Sequence, residues 1–296
     1  MIAREGRVAG LSSSFLPGDW PRKLTLCCDQ HSRSSLQLHL SVLCNPAFVA
    51  ADQIGTRQTM AGMESVLYDL PWLYDLMVPP SRCEAFYRNL AREHGGPILE
   101  LGCGTGRLSI PLASDGHEVV GLDASRWMLG TAAIKAGSAT PHLHFVHGDM
   151  RLFGFPQKFS LIIATCNTLG HLTNDVDLSV VLNRVVDHLQ PAGIFAFDIV
   201  NPDLRELASP SKEKRRDREL IAYDPINQVE TVRLTRPPSI QRVALAPMRL
   251  RTFFPKEIPP RLSLAGMEVL WRFGDFDGRE LTCESSNQVF LAQRTQ

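Results

Sequence analysis

The sequence predicts a doubly wound α/β protein, a mostly parallel sheet with helices on both faces. Three observations carry that reading. Between residues 81 and 200 short apolar runs alternate with stretches of helical periodicity, as strand–helix–strand units do. The runs are near-continuous, Phe159 to Thr165 above all, as in strands covered on both faces. The first run, Ile98 to Leu101, leads into glycines at alternate positions, Gly102, Gly104 and Gly106, and then into a helical stretch. Strand, glycine turn and helix form the front half of a nucleotide-binding βαβ unit.

The 296 residues, 44% of them hydrophobic, suffice for one sizeable domain plus an extension or insert. Lys plus Arg and Asp plus Glu both number 31, so no net charge draws the chain to nucleic acid or to an anionic membrane. No uninterrupted apolar run is long enough to span a bilayer. Seven cysteines without a C-x-x-C pair fit free thiols in a reducing cytoplasm. Vicinal Cys27-Cys28 has no ligand partners beside it and reads the same way.

Residues 1–59 are rich in Ser, with scattered Pro and Gly and no sustained periodicity. Leu36 to Ala51 imitates a secretion signal but begins too far into the chain. A poorly ordered extension is expected, or a segment upstream of the true start, ahead of a domain covering 60–296. From Ser65 to Met77 the dipeptide Tyr-Asp occurs twice, at 68–69 and 74–75, and Pro79-Pro80 closes the stretch. Ser81 and Glu84 form a capping box for a helix to about His94, with Phe86, Tyr87 and Leu90 inward and Gly95-Gly96 as the stop. The first strand carries Glu100. The glycines after it let backbone approach a ligand and take up positive φ. A helix from about Arg107 follows. His117 to Leu122 is the second strand, with Asp123 at its tip, where a carboxylate accepts from both hydroxyls of a ribose.

A dinucleotide fingerprint wants G-x-G-x-x-G, but the sixth position is Arg107; the pattern is E-x-G-x-G-x-G from Glu100 to Gly106. Together with the flanking strand and helix and the spaced Asp123, it resembles the class I S-adenosylmethionine-dependent methyltransferases. The resemblance covers roughly residues 66–296. It is closest to small-molecule methyltransferases with an inserted antiparallel sheet, such as those that N-methylate amino sugars. It implies a seven-stranded Rossmann-like sheet ending in an antiparallel strand, S-adenosyl-L-methionine as cofactor, and direct displacement of its methyl group by a small-molecule acceptor. It also implies that the loop with Glu100, Gly102, Cys103, Gly104 and Arg107 lies beside the methionine part, that Asp123 holds the ribose, and that Tyr74 touches the carboxylate or sulfonium region.

Ser125 is the expected N-cap of a helix through Met128, Leu129, Ala132 and Ala133 to Gly137; Ala124 and Met128 join the cofactor candidates. Leu143 to Val146 is the third strand, ending at Gly148-Asp149-Met150-Arg151. The resemblance gives Asp149 the adenine amino group, and Met150 is placed to pack on the base. Strand four ends in Cys166 to Leu172, which faces the reaction because ligands bind beyond the carboxyl ends of parallel strands. Cys166 is a further cofactor candidate. His171 is the candidate general base, since an ordinary pKa of about 6.5 suits proton transfer near neutrality. Asn174-Asp175 start a helix that runs through Leu189, Pro191-Ala192-Gly193 end it, and Ile194 to Val200 is strand five. Lys212 to Glu219 is a mixed-sign run read as solvated. Leu220–Tyr223, Gln228–Thr235 and Met248–Phe254 read as three antiparallel strands in an insert at about 204–254. A helix over 255–265 contains Pro259-Pro260, at odds with regular helix. Met267–Phe273 and Gln288–Gln293 are the closing strands.

Two other functions stand beside the methyltransferase: an NAD(P)-dependent oxidoreductase, against which Arg107 and the glycine spacing argue, and a non-catalytic cofactor-binding relative. His142 and His144 share a strand face and His147 takes the other, so no zinc site is expected. A cytoplasmic monomer or homodimer without nucleic-acid or membrane partners is expected. The acceptor pocket is expected between the inserted strands, the His171 loop and the Tyr68–Tyr74 segment.

Overall fold

The computed structural model describes residues 66–78, 83–138, 140–208, 218–235 and 245–295. The expectations for residues 1–59, for Cys27-Cys28, for Pro79-Pro80, for the Ser81 cap and for most of the 212–219 charge run lie outside these. All described residues fall in one compact unit, Thr56–Gln296.

Seven strands form the main sheet: β1 (Ile98–Leu101), β2 (Val119–Asp123), β3 (Leu143–His147), β4 (Phe159–Ala164), β5 (Leu189–Val200), β9 (Met267–Phe273) and β10 (Asn287–Arg294). Their order is β3-β2-β1-β4-β5-β10-β9. β1 to β5 are mutually parallel, and β10 runs antiparallel between β5 and β9. The chain therefore winds outward from β1 in both directions, and the crevice between β1 and β4, where the order reverses, opens at the carboxyl ends. β1 and β4 are completely or almost completely buried along their apolar positions, as their near-continuous apolar runs require.

Helices cover both faces: α1 (Pro71–Met77), α2 (Cys83–His94), α3 (Ser109–Ser114), α4 (Arg126–Ala136), α5 (Asp175–His188), α6 (Leu204–Ala208) and α7 (Ile258–Leu264). α5 places Leu178, Val181, Leu182 and Val185 against Ile162, Phe195 and Phe197 in one core. Burying each such side chain stabilises by roughly 1.5–3 kcal/mol. Asn174 caps α5 by accepting from Asp177 N at 2.8 Å, and Ser125 caps α4 by accepting from Met128 N. α2 ends as expected: Gly95, at φ +55°, donates its N–H to Ala91 O at 2.8 Å. Phe86, Tyr87 and Leu90 all turn inward.

Three details differ from the sequence reading. α3 begins at Ser109, two residues late, because the glycine turn takes up Arg107 and Leu108. α5 stops at His188, and β5 starts at Leu189, opposite Phe159. Pro191-Ala192-Gly193 is an irregularity inside that strand, with Ala192 at φ +62°, rather than a helix terminator. Pro259 and Pro260 fit a regular helix because α7 begins at Ile258, so they occupy its first turn, where amides lack helical partners anyway.

The insert is a separate antiparallel sheet, β6 (Arg218–Asp224), β7 (Val229–Leu234) and β8 (Met248–Arg251), in that order. Arg218 joins Glu206 and Glu230 at 3.2 Å each, so one guanidinium is shared between two deeply buried acids. Among the described residues no helix is long and apolar enough to cross a membrane, and no group of three or more His, Cys, Asp or Glu side chains is placed to hold a metal ion.

Candidate active site

A cavity of about 510 Å³ opens at the carboxyl ends of β1, β2 and β4. All the sequence-derived candidates line it: Tyr74, Glu100, Gly102, Cys103, Gly104 and Arg107 from one side, Asp123, Ala124, Met128, Asp149 and Met150 from another, and Cys166 and His171 from the loop after β4.

The three glycines have separate duties. A Cβ on Gly102 comes within 2.7 Å of the Thr168 side chain, and one on Gly106 within 2.9 Å of Ile110 and 3.2 Å of Ala132. Those two admit packing neighbours. A Cβ on Gly104 meets nothing within 4 Å, and Gly104 sits at φ +56°. Gly104 is therefore the glycine that offers bare backbone to a ligand. Asp123 holds the loop in place: its Oδ2 accepts from Gly104 N at 2.7 Å and its Oδ1 from Ser125 N at 2.8 Å. Each oxygen keeps a lone pair for one further donor.

Glu100 is buried and accepts from Ser109 Oγ. Burial pushes its carboxyl up to about 8, against the hydrogen bond from Ser109, so it is largely neutral at pH 7. The loop after β4 holds two consecutive left-handed, non-glycine residues, Cys166 at φ +55° and Asn167 at φ +62°. Such residues cost about 1–2 kcal/mol each. Asp198 stabilises this loop by accepting from Asn167 N at 3.3 Å and from Tyr87 Oη at 2.8 Å. Burial raises the Asp198 carboxyl to about 6.

The Tyr-Asp repeat lies over the glycine loop. Asp75 accepts from Thr105 Oγ1 at 2.7 Å and from Lys135 Nζ at 2.6 Å, which ties α1 to the loop and to α4. Tyr68 O accepts from Ser125 Oγ at 2.7 Å. Tyr68 Oη and His171 Nε2 share a hydrogen bond of 2.8 Å. The Arg107 guanidinium stands 5.1 Å from the centre of the Tyr74 ring, a cation–π distance. Loss of hydration pushes both tyrosine hydroxyls up and the His171 imidazole down, the latter partly offset by Asp123. His171 therefore stays neutral at pH 7.

Arg151 forks Asp149 and also reaches Asp177 at 3.0 Å. Sequence reasoning missed Arg151, Asp177, Thr105 and the pairing of Tyr68 with His171. The doubled Tyr-Asp was the available signal for Tyr68 and Asp75; nothing local marked Asp177.

The site fits a nucleoside. It offers bare backbone at Gly104, a carboxylate with two open lone pairs at the tip of β2, and a second acid at the end of β3. The strand order with β10 antiparallel beside β5 is the one expected of the class I S-adenosylmethionine-dependent methyltransferase fold. Residues 98–193 match the family model described as "Methyltransferase domain". The CcbJ methyltransferase from Streptomyces caelestis superposes with a TM-score of 0.62 at 27% identity, over 74% of this chain and 91% of that one. The putative methyltransferase YqeM of Bacillus subtilis (strain 168) is 41% identical over 105 residues, 35% of this chain and 42% of its own length. The dTDP-3-amino-3,6-dideoxy-alpha-D-glucopyranose N,N-dimethyltransferase of Streptomyces fradiae is 32% identical over 131 residues, 41% of this chain and 49% of its own. The chain thus spans about half or less of the length of these curated relatives.

Proposed function

We propose that this protein transfers a methyl group from S-adenosyl-L-methionine to a small-molecule acceptor. The observation that carries the reading is the Gly104–Asp123 pair: open backbone bonded to a carboxylate that keeps lone pairs for a ribose diol. When bound, the cofactor supplies a methyl group on a sulfonium, open to direct displacement by a nucleophile. Asp123 accepts from the ribose hydroxyls, and Asp149 accepts from the base. Arg107 and Tyr74 hold the charged amino-acid end. The protein's own part would be chiefly to align the acceptor and exclude water. Tyr68 and Tyr74 do both, as a lid tied down through Asp75.

His171 takes the acceptor's proton where one must leave. Its neutral ring is held by Tyr68; when Nε2–H donates to the phenol, Nδ1 carries the lone pair. The relatives named for N-methylation of amino sugars make amines the first acceptors to try. The test is transfer of labelled methyl from S-adenosylmethionine to amines, phenols and carboxylic acids. Labelled product from one class supports the reading; cofactor binding without any product points to a non-catalytic relative.

A further inference from the structure

Arg151 engages both oxygens of Asp149. Its Oδ1 accepts from Arg151 N at 2.8 Å and Nε at 3.0 Å, and its Oδ2 accepts from Nε at 3.0 Å and Nη2 at 2.6 Å. Nε carries a single hydrogen, which is split between the two oxygens, so three donor hydrogens engage a carboxylate with about four lone-pair sites. An incoming amino group therefore meets an acceptor that Arg151 already engages through both oxygens. Arg151 Nη1 meanwhile donates to Asp177 Oδ2 at 3.0 Å, on the first turn of α5. The guanidinium is shared between two acids that both line the cavity.

The side chain is free to change partner without moving the backbone. Arg184 clamps that backbone, with Nε donating to Arg151 O at 2.6 Å and Nη1 to Phe153 O at 2.7 Å. The Arg151 side chain is 45% exposed, so no core packing resists a swing. Asp177 is a fixed receiver, held by Asn174 Nδ2 at 3.0 Å.

We infer that Arg151 is an ion-pair latch at the base end of the cavity: it occupies Asp149 in the empty protein and passes to Asp177 when a 6-amino purine arrives. The inference rests on the reading that this cavity binds S-adenosylmethionine, and it adds a competitor that sets affinity and base selectivity. A 6-oxo purine has no amino donor for Asp149 and gains instead from an arginine that stays.

The experiment is calorimetric titration of the full chain with S-adenosylhomocysteine and, separately, S-inosylhomocysteine, using wild type, R151A, D177N and the double variant. The ion pair is half exposed, so the expected changes are modest, about three- to fivefold. R151A binds S-adenosylhomocysteine tighter by that factor and S-inosylhomocysteine no better. D177N alone binds S-adenosylhomocysteine about threefold more weakly, and in the R151A background it changes nothing. Weaker or unchanged S-adenosylhomocysteine binding by R151A, or a D177N effect equal in both backgrounds, overturns the latch while leaving the cofactor assignment standing. Absence of S-adenosylhomocysteine binding to wild type overturns the cofactor assignment itself and the latch with it.

Discussion

Removing the Asp123 carboxylate tests the site at its most connected point. In Asp123→Ala the N–H groups of Gly104 and Ser125 lose acceptors at 2.7 and 2.8 Å. Hydrogen bonds to a charged group contribute about 1.5–3 kcal/mol each. Water replaces part of that loss because the residue is only half-buried, so the empty protein falls in stability by about 1–2 kcal/mol. The bound state loses more, because the ribose hydroxyls also lose their acceptor and the loop no longer presents Gly104. A combined penalty of about 3 kcal/mol raises the dissociation constant of S-adenosylhomocysteine roughly 100-fold. Asp123→Asn is expected to fare little better, since its NH₂ must face one of the two backbone N–H donors. Calorimetry reads the affinity, and a thermal melt of the ligand-free variant reads the stability. A dissociation constant within twofold of wild type, in a variant that remains folded, removes Asp123 from the binding site.

His171→Ala is expected to lower turnover by about 10²-fold with S-adenosylhomocysteine affinity unchanged; equal turnover takes His171 out of the mechanism. The pH dependence of stability has a definite sign at Glu100. Its carboxyl rises from 4.5 to about 8 on folding, so its stabilising share is complete below pH 4.5 and is lost as pH rises through 8, at up to about 1.4 kcal/mol per pH unit. Glu100→Gln, which mimics the neutral acid, flattens that decline in denaturant melts between pH 5 and 8; an unaltered slope shows that Glu100 is ionised when folded. Gly106→Ala, forced against Ile110 and Ala132 at φ +77°, lowers stability by about 2 kcal/mol or more. Gly104→Ala, with open space around it, costs only about 1 kcal/mol yet weakens ligand binding. Similar stability losses for the two variants contradict the division of duties between these glycines.

Much of this architecture is legible in the chain because it depends on local periodicity. The buried strands, the glycine turn and the spacing from Glu100 to Asp123 each have a short-range cause, and together they locate the crevice. The insert's three strands are readable for the same reason: Asp224-Pro225-Ile226-Asn227 is turn chemistry between two β-rich runs. What the sequence hides is set by distant partners. Leu189 belongs to β5 because it pairs with Phe159, thirty positions earlier. Gly106 is a packing glycine because Ala132 lies against it from α4. Arg151 sits two residues from Asp149 in the turn after β3, but its second partner, Asp177, comes from α5. The left-handed pair Cys166-Asn167 has no turn-type signature at Cys166; it exists because Asp198 on β5 holds Asn167 N.

The most direct measurement is a crystal structure of the protein grown with S-adenosylhomocysteine. The adenosyl group is expected in the cavity beside β1 and β2, with its ribose hydroxyls on Asp123, its amino nitrogen on Asp149, and its backbone contacts at Gly104. A ligand seated elsewhere, or lying in that cavity with Asp123 bonded only to Gly104 and Ser125, contradicts this placement.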